Sequence, residues 1–369
     1  MPPRRPPPDR IRQAPRQDDR RAPRREIEVD VLEGLERFAH AELEQRVGMR
    51  IHFRPAGRAG TLRFGYAGDL RDLLALRSVV AAYAIERFDI PRPKALLGNQ
   101  QIAQLNGAIE EALALAPADA YRTLRLSAAG EDSAVLTRLK GELAQRLGLE
   151  VAADEGDLLL RLRKQARGDG WEVLVRLSPR PLATRAWRVC NRPGALNATL
   201  AHAMMAMADP DPEDVVLNVA CGSGTLLVER LLLCRARQAI GCDVDPAALA
   251  CARENLRAAG LARAARLEQW DATAMPLPDE RVDVICADLP FGQLVGSHAE
   301  NEAFYPAVFA EAARVARPGG RMVLLTHEVR LLERVAAQFA DQWRLAELLR
   351  VRSGGMTPAV ALYQRSNAH

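Results

Sequence analysis

Hydrophobic and polar positions begin to alternate at Glu26, where Ile27, Val29 and Val31 mark one face of a strand. Helical spacing follows from Gly34 to Val47, and then alternation returns at Arg50–Arg54 and Thr61–Tyr66 around a Pro/Gly-containing turn. Asp69–Ser78 predicts a helix and Val79–Asp89 a strand, which completes the β-α-β-β-α-β order of a ferredoxin-like unit. Past Pro91-Arg92-Pro93 the pattern predicts a helix (97–115), a strand (123–128), a helix (133–147) and two strands (158–164 and 171–177). A helix over 196–208 carries Met204, Met205 and Met207, which are expected to pack in a core.

From residue 215 the texture changes to short apolar runs, each separated by a helical stretch. Val215–Ala220 runs into Cys221-Gly222-Ser223-Gly224-Thr225, and Ala239–Asp243 forms the second run. The third ends near Trp270-Asp271-Ala272, the fourth (Val282–Ala287) ends in Asp288-Leu289-Pro290-Phe291-Gly292, and the fifth is Arg321–Thr326. Two more strands, 343–351 and 359–364, close the set. Runs of this kind predict an α/β, Rossmann-like domain with a seven-stranded, mainly parallel sheet. The expected division is a basic arm at 1–25, a ferredoxin-like domain at 26–92, a second α+β domain at 93–190 and the Rossmann-like domain at 191–369.

A chain of 369 residues has room for these cores, and its 48% hydrophobic and 27% charged content is ordinary for a globular protein. No run is long enough to span a bilayer and no apolar signal core opens the chain, so a cytoplasmic address is expected. The six cysteines include no Cys-x-x-Cys pair and are expected to be reduced core residues, with neither metal nor disulfide roles. Net charge is only +4, so a polyanion signal must lie in the distribution of charge. Residues 1–25 hold nine arginines against three aspartates and little to bury, which predicts a disordered arm. Between 161 and 192 nine basic residues stand against Asp169 and Glu172. Arg161, Arg163, Lys164, Arg176, Arg180, Arg185 and Arg188 are therefore candidate RNA-backbone contacts; a solvated sheet face is the plainer alternative.

The strand ends carry the chemistry. Glycines at 222 and 224 let a ligand approach the backbone at a helix N-terminus. Asp243 follows Gly222 by 21 residues, the spacing of a carboxylate that grips ribose hydroxyls. A dinucleotide fingerprint wants glycine at 227, where this chain has Leu227. S-adenosylmethionine (SAM), which has a ribose and no phosphate, is the better fit of the two. Asp271 stands where a carboxylate could accept the adenine amino group. Asp288, a strand-end carbonyl such as that of Leu289, the rigid Pro290 and the ring of Phe291 suit methyl transfer to a planar exocyclic amine.

Together these motifs resemble a class I SAM-dependent methyltransferase, and more closely the THUMP-domain tRNA methyltransferases that act on guanine N2. The resemblance is specific over 190–330 and only topological over 26–190. It implies a THUMP domain at 93–190. It also implies that Asn218, Cys221, Gly222, Ser223, Gly224, Thr225, Asp243, Asp271 and Asp288 form the SAM site, while Asp288, Leu289, Pro290 and Phe291 hold the guanine. Where the family has an acid in the first strand this chain has Asn218, whose amide accepts a hydrogen bond but supplies no charge. The implied protein is a monomeric tRNA (guanine-N2)-methyltransferase without metal. The alternatives are an amino methyltransferase on rRNA or DNA, and a non-catalytic RNA-binding protein with a decayed SAM site.

Overall fold

The structure, a computed structural model, describes residues 25–55, 57–166, 168–290 and 297–367. Its first sheet contains β1 (Arg25–Asp30), β2 (Ile51–Arg54), β3 (Thr61–Tyr66), β4 (Ala81–Phe88), β5 (Thr123–Ala128), β6 (Glu150–Val151), β7 (Leu158–Lys164) and β8 (Trp171–Arg176). Their spatial order is β2-β3-β1-β4-β8-β7-β5-β6. With α1 (Glu36–Val47) and α2 (Leu70–Leu74), the first four strands have the ferredoxin-like arrangement that the alternation predicted. The sheet does not stop there. β4 is almost wholly buried, too apolar for an open edge, and pairs antiparallel with β8 from Tyr83↔Arg176 to Phe88↔Trp171. The chain at residue 92 is thus a connection within one eight-stranded sheet. Residues 1–24, most of the expected arm, lie outside the described residues; Arg25 opens β1 and grips Glu111 through two hydrogen bonds of 2.7 and 2.8 Å.

One face of this sheet is apolar and is covered by α3 (Asn99–Leu113) and α4 (Ala134–Leu147). Ile102, Leu105, Ile109 and Ala112 give α3 its buried stripe at helical spacing. The opposite face carries charge, and here the basic stripe meets its partners. Arg63 and Arg163 each donate to both Glu28 and Glu172 at 2.5–2.6 Å, closing a ring of two arginines and two glutamates.

The second sheet contains β9 (Val215–Val219), β10 (Gln238–Cys242), β11 (Arg266–Glu268), β12 (Val282–Asp288), β13 (Ala316–Thr326), β14 (Trp343–Arg350) and β15 (Ala359–Arg365). Its order is β11-β10-β9-β12-β13-β15-β14, parallel except for the pairs made by β15. Helices α5 (Ala198–Met207), α6 (Thr225–Leu233), α7 (Pro246–Ala258), α8 (His298–Val315) and α9 (Val329–Gln338) cover it. The strand order reverses between β9 and β12, so the crevice for a ligand opens at their C-terminal ends.

The two halves share a core. All of α5 except Ala206 is buried, and Met204 and Met205 lie in a cluster that also contains Leu76, Leu177, Val216 and Val360. Beside it the wholly buried Glu229 of α6 accepts from Arg185 Nε at 2.8 Å and Arg77 Nη1 at 3.3 Å, and His202 Nδ1 lies 3.3 Å away. Burial pushes the Glu229 carboxyl up, but these three partners outweigh it and hold it below the usual carboxylate range. No helix among the described residues is long and apolar enough to cross a membrane. Among the same residues no three His, Cys, Asp or Glu side chains are grouped to hold a metal.

Candidate active site

Beyond β9 the chain turns sharply through three left-handed residues, Ala220 (φ 46°), Gly222 (φ 53°) and Gly224 (φ 77°). Ala220 is the costly one, because an L side chain at positive φ is strained by roughly 1–3 kcal/mol. Hydrogen bonds hold the turn: Cys221 N–H donates to Cys242 O at 2.8 Å, and Gly222 N–H to Asp243 Oδ2 at 2.8 Å. A Cβ on Gly222 would meet nothing within 4 Å, so this backbone faces open space. On Gly224 it would come 3.1 Å from the Ala252 Cβ, so this glycine serves the approach of α7 and does not line the cleft.

The cleft beside this turn has a volume of about 540 Å³. Cys221, Ser223 and Thr225 line it as expected, and so does Asp243, whose Oδ1 accepts from Asp245 N at 3.0 Å. The cap of α7 is Asp245, so Asp243 is not merely a helix cap. A carboxylate has room for about four hydrogen bonds, so Asp243 can still take ribose hydroxyls. Leu227 packs with Trp187, Val228 and Leu256 in a core cluster. Asp271 does not line the cleft. β11 ends at Glu268, earlier than the apolar pattern predicted, and Asp271 Oδ1 turns to Thr273 N at 2.8 Å and Thr273 Oγ1 at 2.7 Å. These bonds hold its carboxyl below the usual range.

On the opposite wall two acceptors are left without partners. Asn218 Nδ2 donates to Cys286 O at 3.1 Å and Val219 O at 3.3 Å, while its Oδ1 is buried and unbonded among the described residues. Asn218 pairs with Cys286 across β9 and β12, so Asp288 ends the neighbouring strand two residues further on. Asp288 Oδ1 is also out of solvent and unbonded, and burial pushes this carboxyl up to about 7. Leu289 and Pro290 line the same cleft. Phe291 lies outside the described residues.

Two contributors to the cleft were not legible in the sequence. Phe304, from α8, adds an aromatic wall. A strap over residues 192–196 forms the rim, tied down by Arg192 Nη2 to Asp245 Oδ2 at 2.6 Å. Its base is held by a disulfide between Cys190 and Cys251 (Cα–Cα 5.4 Å), which corrects the expectation that all six cysteines are reduced. No local motif announces a pair 61 residues apart. Asn255 brings them together by accepting from Cys190 N at 3.0 Å and donating to Cys190 O at 2.9 Å.

Most of the expected RNA contacts have partners within the protein. Besides the closed ring around Arg163, Arg161 donates to Asp30 Oδ2 at 2.6 Å and lies over the Tyr83 ring. Arg176 is buried and caps the carbonyls of Gly156, Asp157, Ser178 and Pro179. Arg185 serves Glu229, and Arg188 Nη2 donates to Leu196 O and Thr225 Oγ1, within the strap and helix that frame the cleft. Lys164 and Arg180 are the exposed members of the set. Arg180 lies on a groove of about 960 Å³ shared with Arg122 and Arg77, where Asp119 and Asp157 supply some acid.

A seven-stranded sheet of this order, with a glycine turn after its central strand, an acid ending the next and Asp-Leu-Pro ending the fourth, defines a class I methyltransferase domain. Residues 185–359 match the UPF0020 family model (RMKL-like, methyltransferase domain). The chain is 32% identical over 188 residues to the mouse (Mus musculus) tRNA (guanine(6)-N(2))-methyltransferase THUMP3, covering 47% of this chain and 37% of the relative. It is 37% identical over 148 residues to the bovine (Bos taurus) U6 snRNA (guanine-N(2))-methyltransferase THUMPD2, covering 40% and 28% respectively. The chain therefore spans well under half the length of these curated relatives. The crystal structure of TrmN from Thermus thermophilus superposes with a TM-score of 0.71 at 25% identity, covering 92% of this chain and 99% of that one.

SAM is the cofactor of this class, and the residues present fit it. Gly222 leaves its approach open, Asp243 offers acceptors, and Asn218 Oδ1 and Asp288 Oδ1 are acceptors without partners among the described residues, suited to a cationic ligand.

Proposed function

We propose that this protein transfers a methyl group from SAM to the N2 atom of guanine in RNA, with tRNA as the substrate class. The observation that carries the reading is Asp288: a carboxyl oxygen without a partner among the described residues, at the end of β12, opening onto the cleft that the glycine turn and Asp243 also line. Similarity supports it, since the mouse and bovine relatives differ in their named RNA but share guanine N2.

Guanine N2 is a poor nucleophile because its lone pair is delocalised into the ring. In this reading Asp288 and the Leu289 carbonyl accept its two N–H bonds and turn the lone pair toward the methyl group. When bound, SAM supplies that methyl on a sulfonium, whose bond electrons return to sulfur as the C–N bond forms. The nitrogen must then lose a proton, and a carboxyl near 7 is placed to take it and pass it to water. Most of the rate arises from positioning and water exclusion, because the methyl donor is already activated.

The N-terminal sheet is the proposed RNA grip, in the place of a THUMP domain. With the β7 arginines committed to Glu28, Glu172 and Asp30, the phosphate contacts move to Lys164 and to the groove around Arg122 and Arg180. A monomer in the cytoplasm is part of the same proposal. The test is methyl transfer from labelled SAM to bulk tRNA, rRNA and DNA, followed by nucleoside mass spectrometry. N2-methylguanosine from tRNA is the expected product. Label confined to rRNA or DNA, or found in N6-methyladenosine, would replace the substrate, and RNA binding without SAM binding would make the protein a non-catalytic binder.

A further inference from the structure

The peptide after Asp288 is held from behind. Pro290 O accepts from Asn301 Nδ2 at 2.9 Å and from Tyr305 Oη at 2.8 Å, both side chains of α8. Two donors fill both lone pairs of this carbonyl. The donors are themselves fixed. Tyr305 has one O–H, which it gives to Pro290, so its oxygen accepts from Thr326 Oγ1 at 2.7 Å. Thr326 Oγ1 accepts in turn from Glu328 N at 2.9 Å. Asn301 spends its second N–H on Glu328 Oε1 at 2.6 Å, and Glu328 Oε2 meets His298 Nδ1 at the start of α8. Tyr305, Thr326 and Asn301 are at most 1% exposed, so water does not compete for these bonds.

The network joins the end of β12, the first two turns of α8 and the β13–α9 corner. The segment after β12 enters it through the Pro290 carbonyl. Proline fixes φ at this residue, the two donors fix its carbonyl, and Leu289 N–H is bonded to Leu325 O at 2.9 Å. The turn is thereby held at both ends, with the Pro290 oxygen facing α8 and not the cleft. Leu289 remains as the source of a carbonyl beside Asp288 for the substrate amine. A buried tyrosine hydroxyl and a buried asparagine amide need partners wherever they sit; ordinary packing does not require that both converge on one carbonyl next to the reacting carboxyl.

We propose that Tyr305 and Asn301 are positioning residues for the methyl transfer, acting through Pro290 to aim Asp288 and the Leu289 carbonyl at the amino nitrogen. This rests on the functional reading above. Neither side chain touches substrate in this scheme, so each acts on the rate of the chemical step and leaves binding alone. Displacing a positioned acceptor by a fraction of an ångström is costly when the geometry must be near attack.

The test uses Tyr305→Phe, which deletes one hydroxyl and keeps the ring, and Asn301→Ala, with Asn301→Gln as the conservative partner. In single-turnover transfer to tRNA, Tyr305→Phe should be slower by about 10-fold and Asn301→Ala by about 10–100-fold. SAM and tRNA dissociation constants should stay within about 2-fold of the parent, and Asn301→Gln should recover part of the loss. A second readout needs no substrate: exchange of the Leu289 amide should speed up by about 10-fold in Tyr305→Phe, while amides of β9 keep their parental rates. Parental transfer rates in folded Tyr305→Phe and Asn301→Ala would overturn the proposal, and so would a loss of SAM affinity equal to the loss of rate. If the parent itself does not methylate guanine N2, the functional reading fails on its own. The amide exchange then still decides whether α8 fixes the turn, and an unchanged Leu289 rate would refute it.

Discussion

Asp288→Asn should make the protein more stable and less active, and the gain should depend on pH. The carboxyl is pushed from its ordinary 3.8 to about 7 by burial alone, with no partner for Oδ1 among the described residues. At about 1.4 kcal/mol per tenfold change in proton affinity, that interval caps the cost of ionising Asp288 at about 4 kcal/mol. The side chain is partly open to the cleft, so solvent screens it, and about 1–3 kcal/mol is the expected gain. The sign follows from proton linkage. Between pH 4 and 7 the native state holds this proton more tightly than the unfolded chain does, so parental stability falls as pH rises through that window and is level above it. Asparagine does not titrate. Urea unfolding at pH 5, 6, 7 and 8 should therefore show a difference between variant and parent that grows up to pH 7 and then stops growing. Methyl transfer by the variant should fall by about 100-fold or more, since asparagine presents an uncharged oxygen that cannot take the proton. In the parent, transfer should rise with pH through about 7 as Asp288 ionises. A stability difference independent of pH would refute the reasoning, because Asp288 would then be ionised at an ordinary value and satisfied by groups the argument has not counted.

Three further outcomes are expected. Asp243→Ala should weaken SAM binding by roughly 1–3 kcal/mol in calorimetry, the scale of hydrogen bonds to a charged group; equal affinity would remove Asp243 from the ribose role. Replacing Arg122, Lys164 and Arg180 together with alanine should weaken tRNA binding and flatten its salt dependence without changing SAM affinity, and an unaltered salt slope would move the RNA surface elsewhere. Cys251→Ser should lower the unfolding free energy of the oxidised protein by up to about 4 kcal/mol, the chain-entropy value for a loop of this length. Because reductant opens a disulfide, dithiothreitol should bring the parent down to the variant; a parent unaffected by reductant, or a variant as stable as the oxidised parent, would show that the strap is held without the disulfide.

What could be read from the chain and what could not divides along a physical line. The glycine turn, Asp243 and Asp288 are local signals: each depends on backbone conformation within a few residues, and each strand end sits on the crevice that parallel topology creates. What was not legible mostly concerns partners distant in sequence. An exception is Asp271, which lies past the end of β11 at Glu268 and whose carboxylate turns to Thr273 two residues on. Asn301 and Tyr305 share the buried, helically spaced side of α8 with Val308, Phe309 and Ala312, so the pattern marks them only as core positions and not as partners of Pro290. The arginines of 161–192 are the clearest case. Counted along the chain they are nine against two, yet sheet register sets Glu28, 135 residues before Arg163, within 2.6 Å of it. A ring of two arginines and two glutamates is close to neutral, and breaking it strands a buried charge at a cost of several kcal/mol. Arg122 and Arg180, by contrast, are exposed on the groove that Asp119 and Asp157 also line. Most of the basic signal is therefore engaged by acids and carbonyls of the protein itself, and its exposed members, Lys164 and Arg180, are the proposed phosphate contacts.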